Sequence, residues 1–339
     1  MEAEPAKTVN PVLGADELER LRQRTADAAP QLESLSVAVV CGGDTAEREV
    51  SLTSGNGVRD ALEAEGISAT LVDLDYDTLD RETLEGYDLA FLTLHGGRGE
   101  DGSLQGYFDS IGVRYVGAGV LASAISMHKP TFKAFARGIG LKVPRSVVVH
   151  RGDDVPEKLE QLMFSAELVV KPASEGSSVG VQIVLVEDAP AAIAESLKTY
   201  PLMLVEERIT GREVTASVLG RHRQPVVLPH VEIAPVNREF YDYRAKYTEG
   251  ETEYIIPARL SEDVNLQLAQ SAALLQDALE LAPYARIDTI VDDAGTPYFL
   301  EANTLPGFTS LSLVPQAAAA AGVSYGELLR ILAYLTLEE

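Results

Sequence analysis

The run Ser36-Val37-Ala38-Val39-Val40-Cys41, ending on Gly42-Gly43, constrains this chain more than any other feature. It is continuous, apolar and rich in β-branched residues, the pattern of a strand covered on both faces. A helical pattern follows from about Glu49 to Glu65. Strands Ala69–Leu74 and Leu89–Leu94, a helix Ser103–Ile111 and a short strand Arg114–Val116 come next. Strands alternating with helices predict an α/β class with a parallel sheet, since parallel neighbours need a crossover between them.

From Ala122 the pattern changes. Two helices meet at Lys129-Pro130, where Pro130 can occupy the first position of the second. Strands Ser146–His150 and Leu168–Lys171 bracket a helix Val155–Phe164, and a strand Val179–Leu185 precedes a helix Ala189–Thr199. Beyond Pro201 the chain is strand-rich: Met203–Glu207, Glu213–Leu219 and Gln224–Ile233, then a polar loop Asn237–Glu253 with several tyrosines. A helix Glu262–Leu281 leads into a hairpin of Ala285–Val291 and Thr296–Ala302. At 339 residues the chain is too long for one core. The expected division is an extension over 1–34 and domains over 35–121, 122–205 and 206–339. The extension reads as acidic, with an exposed helix from Asp16 to Ala28 and no chemistry of its own.

Charge narrows the function. The net charge of −24 repels nucleic acid and anionic lipid over most of the surface. No apolar run is long enough to span a bilayer and no secretory signal pattern opens the chain, so neither membrane nor export is expected. The single cysteine, Cys41, fits a reducing cytoplasm. In so acidic a chain, lysines placed inside motifs carry unusual weight.

Arg286 and Asp288 are two apart on one predicted strand, and Glu301 and Asn303 on the next, so each pair shares a face. The turn signal Asp293-Ala294-Gly295-Thr296 lies between. A hairpin centred between 294 and 295 sets 288 opposite 301 and 286 opposite 303. Two carboxylates and an amide oxygen then meet beside one arginine. Hard oxygen donors so few in number suit magnesium, which completes its shell with water and phosphate oxygens. The plainer alternative is a solvated face of cross-strand polar pairs. The otherwise apolar strands, and the run Asn303-Thr304-Leu305-Pro306-Gly307 that follows, favour the metal.

A second motif is Lys171-Pro172-Ala173-Ser174-Glu175-Gly176-Ser177-Ser178-Val179-Gly180. Its small residues let backbone N–H groups approach an anion, and Lys171 can neutralise phosphate. It is not a Walker A loop, because the lysine precedes the glycines and no helix follows. Taken alone, Lys129 reads as a surface lysine, and Glu206-Glu207-Arg208-Ile209 as a solvated strand end able to offer groups to adenine and ribose.

Together these segments resemble the D-alanine–D-alanine ligases. The resemblance rests on Gly42-Gly43-Asp44-Thr45-Ala46-Glu47-Arg48-Glu49-Val50-Ser51-Leu52, on His95-Gly96-Gly97-Arg98-Gly99-Glu100-Asp101-Gly102 and on the glycine loop. It continues through Phe240-Tyr241-Asp242-Tyr243-Arg244-Ala245-Lys246-Tyr247 and Glu301-Ala302-Asn303-Thr304-Leu305-Pro306-Gly307-Phe308-Thr309. These occur in the family's order and span roughly residues 36–337.

The resemblance implies a three-domain ATP-grasp architecture and ligation of two D-alanines through an acyl-phosphate for peptidoglycan, in a cytoplasmic homodimer. By the same resemblance Lys129, Lys171 and Ser178 contact ATP, and Glu206, Ile209 and Glu213 line its adenine and ribose pocket. Asp288, Glu301 and Asn303 hold two magnesium or manganese ions. Glu49 binds the first amino acid's ammonium with His95 nearby, and Ser177 and Tyr247 join Glu49 in latching the 237–253 loop. Lys246 reaches the transferred phosphate. Arg286 and the Gly307 N–H stabilise the oxyanion, and Ser312 and Leu313 hold the second carboxylate.

Three positions depart from the family's usual residues: Thr45 for serine, His128 for aspartate, and Thr289 for an aromatic. The acceptor is left open between D-alanine, another D-amino acid and D-lactate. D-lactate users carry a lid histidine where this chain has Lys246-Tyr247. A non-catalytic nucleotide-binding module is the remaining alternative, and it is disfavoured by the retained lysines and carboxylates.

Overall fold

The computed structural model describes residues 13–235 and 252–338. Two helices, α1 (Ala15–Asp27) and α2 (Ala29–Glu33), precede the first sheet. That sheet is parallel throughout, in the order β2 (Ser68–Leu74), β1 (Ser36–Gly42), β3 (Leu89–Leu92), β4 (Tyr115–Val116). Helices α3 (Arg48–Ala64) and α4 (Ser103–Ile111) provide crossovers. Residues Val37–Cys41 of β1 are all buried, as their unbroken apolar run requires.

The described part of the extension, from Leu13 on, carries the expected helix, but that helix is docked and not merely exposed. Helix α1 buries Leu18 and Leu21, three apart on one face, together with Thr25 one turn further on. They join a core cluster with Leu328 and Leu332 of the last helix, and Arg22 pairs with Glu327 at 2.7 Å. Upstream of α1, Val227 N–H donates to Leu13 O at 3.0 Å. The acidic composition describes only the solvent face of α1.

Helices α5 (Val120–Met127) and α6 (Lys129–Gly138) lead into an antiparallel sheet. Its order is β5 (Ser146–His150), β8 (Leu202–Glu207), β6 (Glu167–Pro172), β7 (Gln182–Leu185). Helices α7 (Val155–Leu159) and α8 (Ala189–Thr199) cover it through Leu159, Ile193 and Leu197. The expected helix 155–164 is shorter, its end tightening into a 3₁₀ turn over Glu160–Leu162. The strand expected from Val179 begins at Gln182, since 179–181 belong to the turn of the glycine loop.

The third sheet runs β12 (Thr252–Ile255), β11 (Val231–Pro235), β9 (Arg212–Arg221), β13 (Tyr284–Val291), β14 (Pro297–Asn303). Strand β10 (Gln224–Val227) also pairs with β9. The single strand expected over 224–233 is thus two. Pro229 has no N–H to give the ladder, so bonding to β9 ends with Leu228 N–H on Ser217 O at 2.9 Å and resumes at Val231. Helices α9 (Glu262–Leu279), α10 (Leu313–Ala320) and α11 (Tyr325–Leu337) complete the chain. No described helix is long and apolar enough to cross a membrane.

Candidate active site

One cavity of about 1520 Å³ draws its walls from the two antiparallel sheets, from the start of α3 and from the segment after β3. Ordinary small-molecule sites span about 300–1,000 Å³, so this one has room for a nucleotide and further small substrates. Every described residue nominated from sequence lines it: Glu49, His95, Lys129, Lys171, Ser177, Ser178, Glu206, Ile209, Glu213, Arg286, Asp288, Glu301, Asn303, Gly307, Ser312 and Leu313. Lys246 and Tyr247, with most of the expected lid, lie outside the described residues.

The carboxylate hairpin has the expected register at its functional end. Asp288 faces Glu301 and Arg286 faces Asn303. The turn differs from the expected one. Asp292 N–H donates to Thr296 O and Gly295, at φ 80°, supplies the left-handed corner, so the loop is centred on Ala294. Thr289 pairs with Phe299, which leaves Leu300 as an extra residue on β14. This bulge restores the offset that brings Asp288 opposite Glu301. Arg286 grips Asp288 with Nε and Nη2 at 2.9 and 2.8 Å, and Asn303 Nδ2 donates to the same carboxylate at 3.0 Å.

These donors fit magnesium or manganese. They are hard oxygen ligands, and the attached arginine and amide hold the Asp288 side chain oriented. Among the described residues no group of three His, Cys, Asp or Glu side chains could hold a metal unaided. A cation held here would take the rest of its shell from water and phosphate.

Lys129 is not the surface lysine its isolated sequence suggests. It begins α6 with its N–H donating to Ala173 O at 2.9 Å, its Nζ donating to Glu175 O at 2.6 Å and its Nζ 3.4 Å from Glu301. It ties the glycine loop to the carboxylate hairpin. Ser177 and Ser178 take left-handed φ of 47° and 60°, which turn that loop back over the cavity. Glu206, expected at a solvated strand end, is buried at the end of β8 between two ammonium groups. Lys171 Nζ lies 2.6 Å from its Oε2 and Lys133 Nζ 2.7 Å from its Oε1. The two lysines hold the Glu206 carboxyl below the usual carboxylate range against the opposing effect of burial. Lys133 escaped the sequence reading. Its four-residue spacing from Lys129 was the available signal, since it puts both on one face of α6.

The hydrogen bond expected between Ser177 and Glu49 is made by Glu47 instead, which accepts from Ser177 Oγ. The reason is where α3 begins. Glu47 precedes its first residue, Arg48, and reaches across to the glycine loop. Glu49 lies two residues on, about 200° around the helix, at the exposed rim. Glycines make the space, since a Cβ at Gly96 or Gly176 would sit 3.2 or 3.4 Å from Glu47 Oε2. Thr45 keeps a hydroxyl in this region: its Oγ1 donates to His95 O at 2.8 Å and accepts from Glu47 N–H at 3.2 Å.

His95 is buried, with Nδ1 3.2 Å from Leu305 O and Nε2 without a partner among the described residues. Burial pushes its pKa down, so the ring is neutral, with Nδ1–H donating to Leu305 and Nε2 an acceptor. Glu100 accepts from Gly96 N–H at 2.8 Å, and burial with nearby Glu47 pushes it up to about 8. The far wall is the turn after β14. Ser312 stands at the residue before α10, and its Oγ accepts from Thr309 N–H at 3.0 Å and makes no capping bond to the helix. A Cβ on Gly307 would come 3.2 Å from Ser312 Oγ, which keeps that position open. The first N–H groups of α10 and the Ser312 hydroxyl are donors of the kind a carboxylate accepts from.

The family model described as "D-ala D-ala ligase C-terminus" matches residues 135–333, and "D-ala D-ala ligase N-terminus" matches 77–118. A D-alanine--D-alanine ligase from Pelotomaculum thermopropionicum is 39% identical over 312 residues, covering 90% of this chain and 98% of the relative. The D-alanine--D-alanine ligase of Bacillus anthracis complexed with ATP superposes with a TM-score of 0.79 at 30% identity, covering 90% of this chain and 98% of that one. The VanG D-Ala:D-Ser ligase from Enterococcus faecalis gives 0.76 at 28% identity, covering 89% and 99%. Two antiparallel sheets opposed across a cavity, with Lys171 on one and a carboxylate hairpin on the other, place the fold in the ATP-grasp class. Within that class, the chain belongs to the D-alanine–D-alanine ligase family.

Proposed function

We propose that this protein joins two D-alanines into D-alanyl-D-alanine with ATP, through an acyl-phosphate, releasing ADP and phosphate. The observation that carries the proposal is that one cavity collects Lys129 and Lys171, the Asp288–Glu301–Asn303 hairpin, Arg286 and Gly307. In this reading the first D-alanine's ammonium rests on Glu47, since that carboxylate, and not Glu49, is held over the cavity by Ser177. Its carboxylate attacks the γ-phosphate of ATP, so two anions must meet. Lys129 and Lys171 offset the repulsion. Two magnesium or manganese ions bound by Asp288, Glu301 and Asn303 supply further neutralisation of the phosphates.

The second D-alanine lays its carboxylate on Ser312 and the start of α10. Its amine, once deprotonated, attacks the acyl carbon, and phosphate leaves as the peptide bond forms. Charge developing on the carbonyl oxygen falls to Arg286 and the Gly307 N–H. Ile209 and Glu213 flank the adenine and ribose, with Ser178 beside the phosphates. The proposal extends to a cytoplasmic homodimer serving peptidoglycan synthesis, as the family resemblance implies. The test is D-alanine labelled with ¹⁸O in its carboxylate. Each turnover should place one labelled oxygen in the released phosphate, and unlabelled phosphate would exclude the acyl-phosphate.

A further inference from the structure

Lys133, Glu206 and Lys171 form a buried row of cation, anion and cation. Lys133 comes from α6, Glu206 from β8 and Lys171 from β6. Their side chains are 2%, 3% and 9% exposed. Each carboxylate oxygen faces one ammonium, at 2.7 Å from Lys133 and 2.6 Å from Lys171. Lys133 Nζ donates to Phe299 O at 3.2 Å as well, so it is fixed against β14. Glu206 and Lys171 line the cavity, whereas Lys133 does not. Lys133 therefore touches no ligand in the cavity itself, and its closest polar contact on the cavity wall is Glu206.

The row carries one more positive charge than negative. A buried excess charge is costly unless an anion arrives to meet it. Were Lys133 absent, Glu206 and Lys171 would neutralise each other, and Lys171 would have little left to offer. With Lys133 present, one carboxylate is divided between two ammonium groups, and the excess sits at the end of the row that faces the cavity.

We propose that Lys133 is a positioning residue for nucleotide binding: it claims half of the Glu206 carboxylate and so leaves Lys171 available to the phosphates of ATP. The inference rests on the reading of this cavity as the ATP site. It separates Lys133 from an ordinary buried staple, because a staple would support every part of the nucleotide equally. The effect of Lys133 falls on the charge that Lys171 presents, which a phosphate feels and an uncharged nucleoside does not. Burial pushes its pKa down to about 8, which still leaves it mostly protonated at neutral pH.

The test is direct calorimetric binding of ATP and of adenosine, with magnesium present. Lys133→Met should weaken ATP about tenfold, a loss of about 1.4 kcal/mol. It should leave adenosine within about twofold, since adenosine brings no phosphate for Lys171. Lys133→Arg keeps the charge and should keep ATP affinity within about threefold. In a Glu206→Gln background there is no carboxylate to divide, so adding Lys133→Met should change ATP affinity by less than about twofold. Equal losses for ATP and adenosine, or a loss that persists in the Glu206→Gln background, would overturn the proposal. So would unchanged ATP affinity in Lys133→Met. Lys171→Met is the separate control: if it binds ATP as tightly as the parent, the assignment of Lys171 to phosphate has failed, independently of Lys133.

Discussion

Replacing Leu21 by alanine should destabilise the protein without touching its chemistry. Leu21 is 1% exposed on α1 and packs into the cluster that contains Leu328 and Leu332 of α11. Leucine-to-alanine changes at such sites cost about 2–5 kcal/mol, from lost transfer energy and the cavity left behind. At about 2.1 cal/mol/K per residue, a 339-residue chain unfolds with an entropy of about 0.7 kcal/mol/K. The melting temperature should therefore fall by about 3–7 °C. No residue of α1 lines the cavity, so kcat and KM at 25 °C should stay within about twofold. Scanning calorimetry beside an ADP-release assay reads both quantities. A variant melting within about 1 °C of the parent would show that α1 is not docked as described. The same packing bears on truncation. Burying Leu18, Leu21 and Leu32 contributes about 1.5–3 kcal/mol each, in total comparable with the 5–15 kcal/mol that holds a typical domain folded. Deleting residues 1–34 should yield a poorly folding chain, whereas an unpacked acidic arm would have been dispensable.

Glu301→Ala should lower ATP turnover roughly a thousandfold with the fold intact by circular dichroism, and near-parent turnover at saturating magnesium would remove the metal assignment. Glu47→Gln should reduce kcat/KM for D-alanine about 10–100-fold through loss of a charged hydrogen-bonding partner, while Glu49→Gln stays within about threefold; the reverse order would return the ammonium to Glu49. His230 bonds Asn265 Oδ1 at 2.7 Å, and burial pushes its pKa down to about 4. The unfolded chain takes up that proton near pH 6.5, so the stability His230 confers is complete above 6.5 and is lost as pH falls toward 4, by about 3 kcal/mol. Urea unfolding across this window should be steeper in the parent than in His230→Gln, and equal slopes would mean that the ring titrates normally.

The carboxylate site was legible because strand alternation and a turn signal are local properties. Asp288 does face Glu301, but a symmetric hairpin gets there by a compensating error. The turn is centred half a residue earlier than its sequence suggests, and the bulge at Leu300 makes up the difference. Bulges leave no dependable mark in one sequence. Glu47 and Glu49 could not be told apart by composition, since only the residue at which α3 begins decides which one reaches Ser177. Lys133 went unread and Glu206 was read alone because three elements far apart in sequence bring them and Lys171 together. The break at Pro229 was legible in principle, since a proline inside an apolar run argues against a continuous strand. The docking of α1 was legible too. Leu18 and Leu21 share a face, a pattern that the acidic composition of the segment obscured.

The most direct measurement is the product balance with ATP, magnesium and D-alanine as the only amino acid, ADP being counted enzymatically and the product identified by mass spectrometry. One D-alanyl-D-alanine should form for each ADP released, and omitting D-alanine should stop ADP release. Under equimolar competition with D-serine or D-lactate, D-alanyl-D-alanine should remain the main product. ADP release that does not depend on D-alanine, or a main product ending in D-serine or D-lactate, would contradict the assignment.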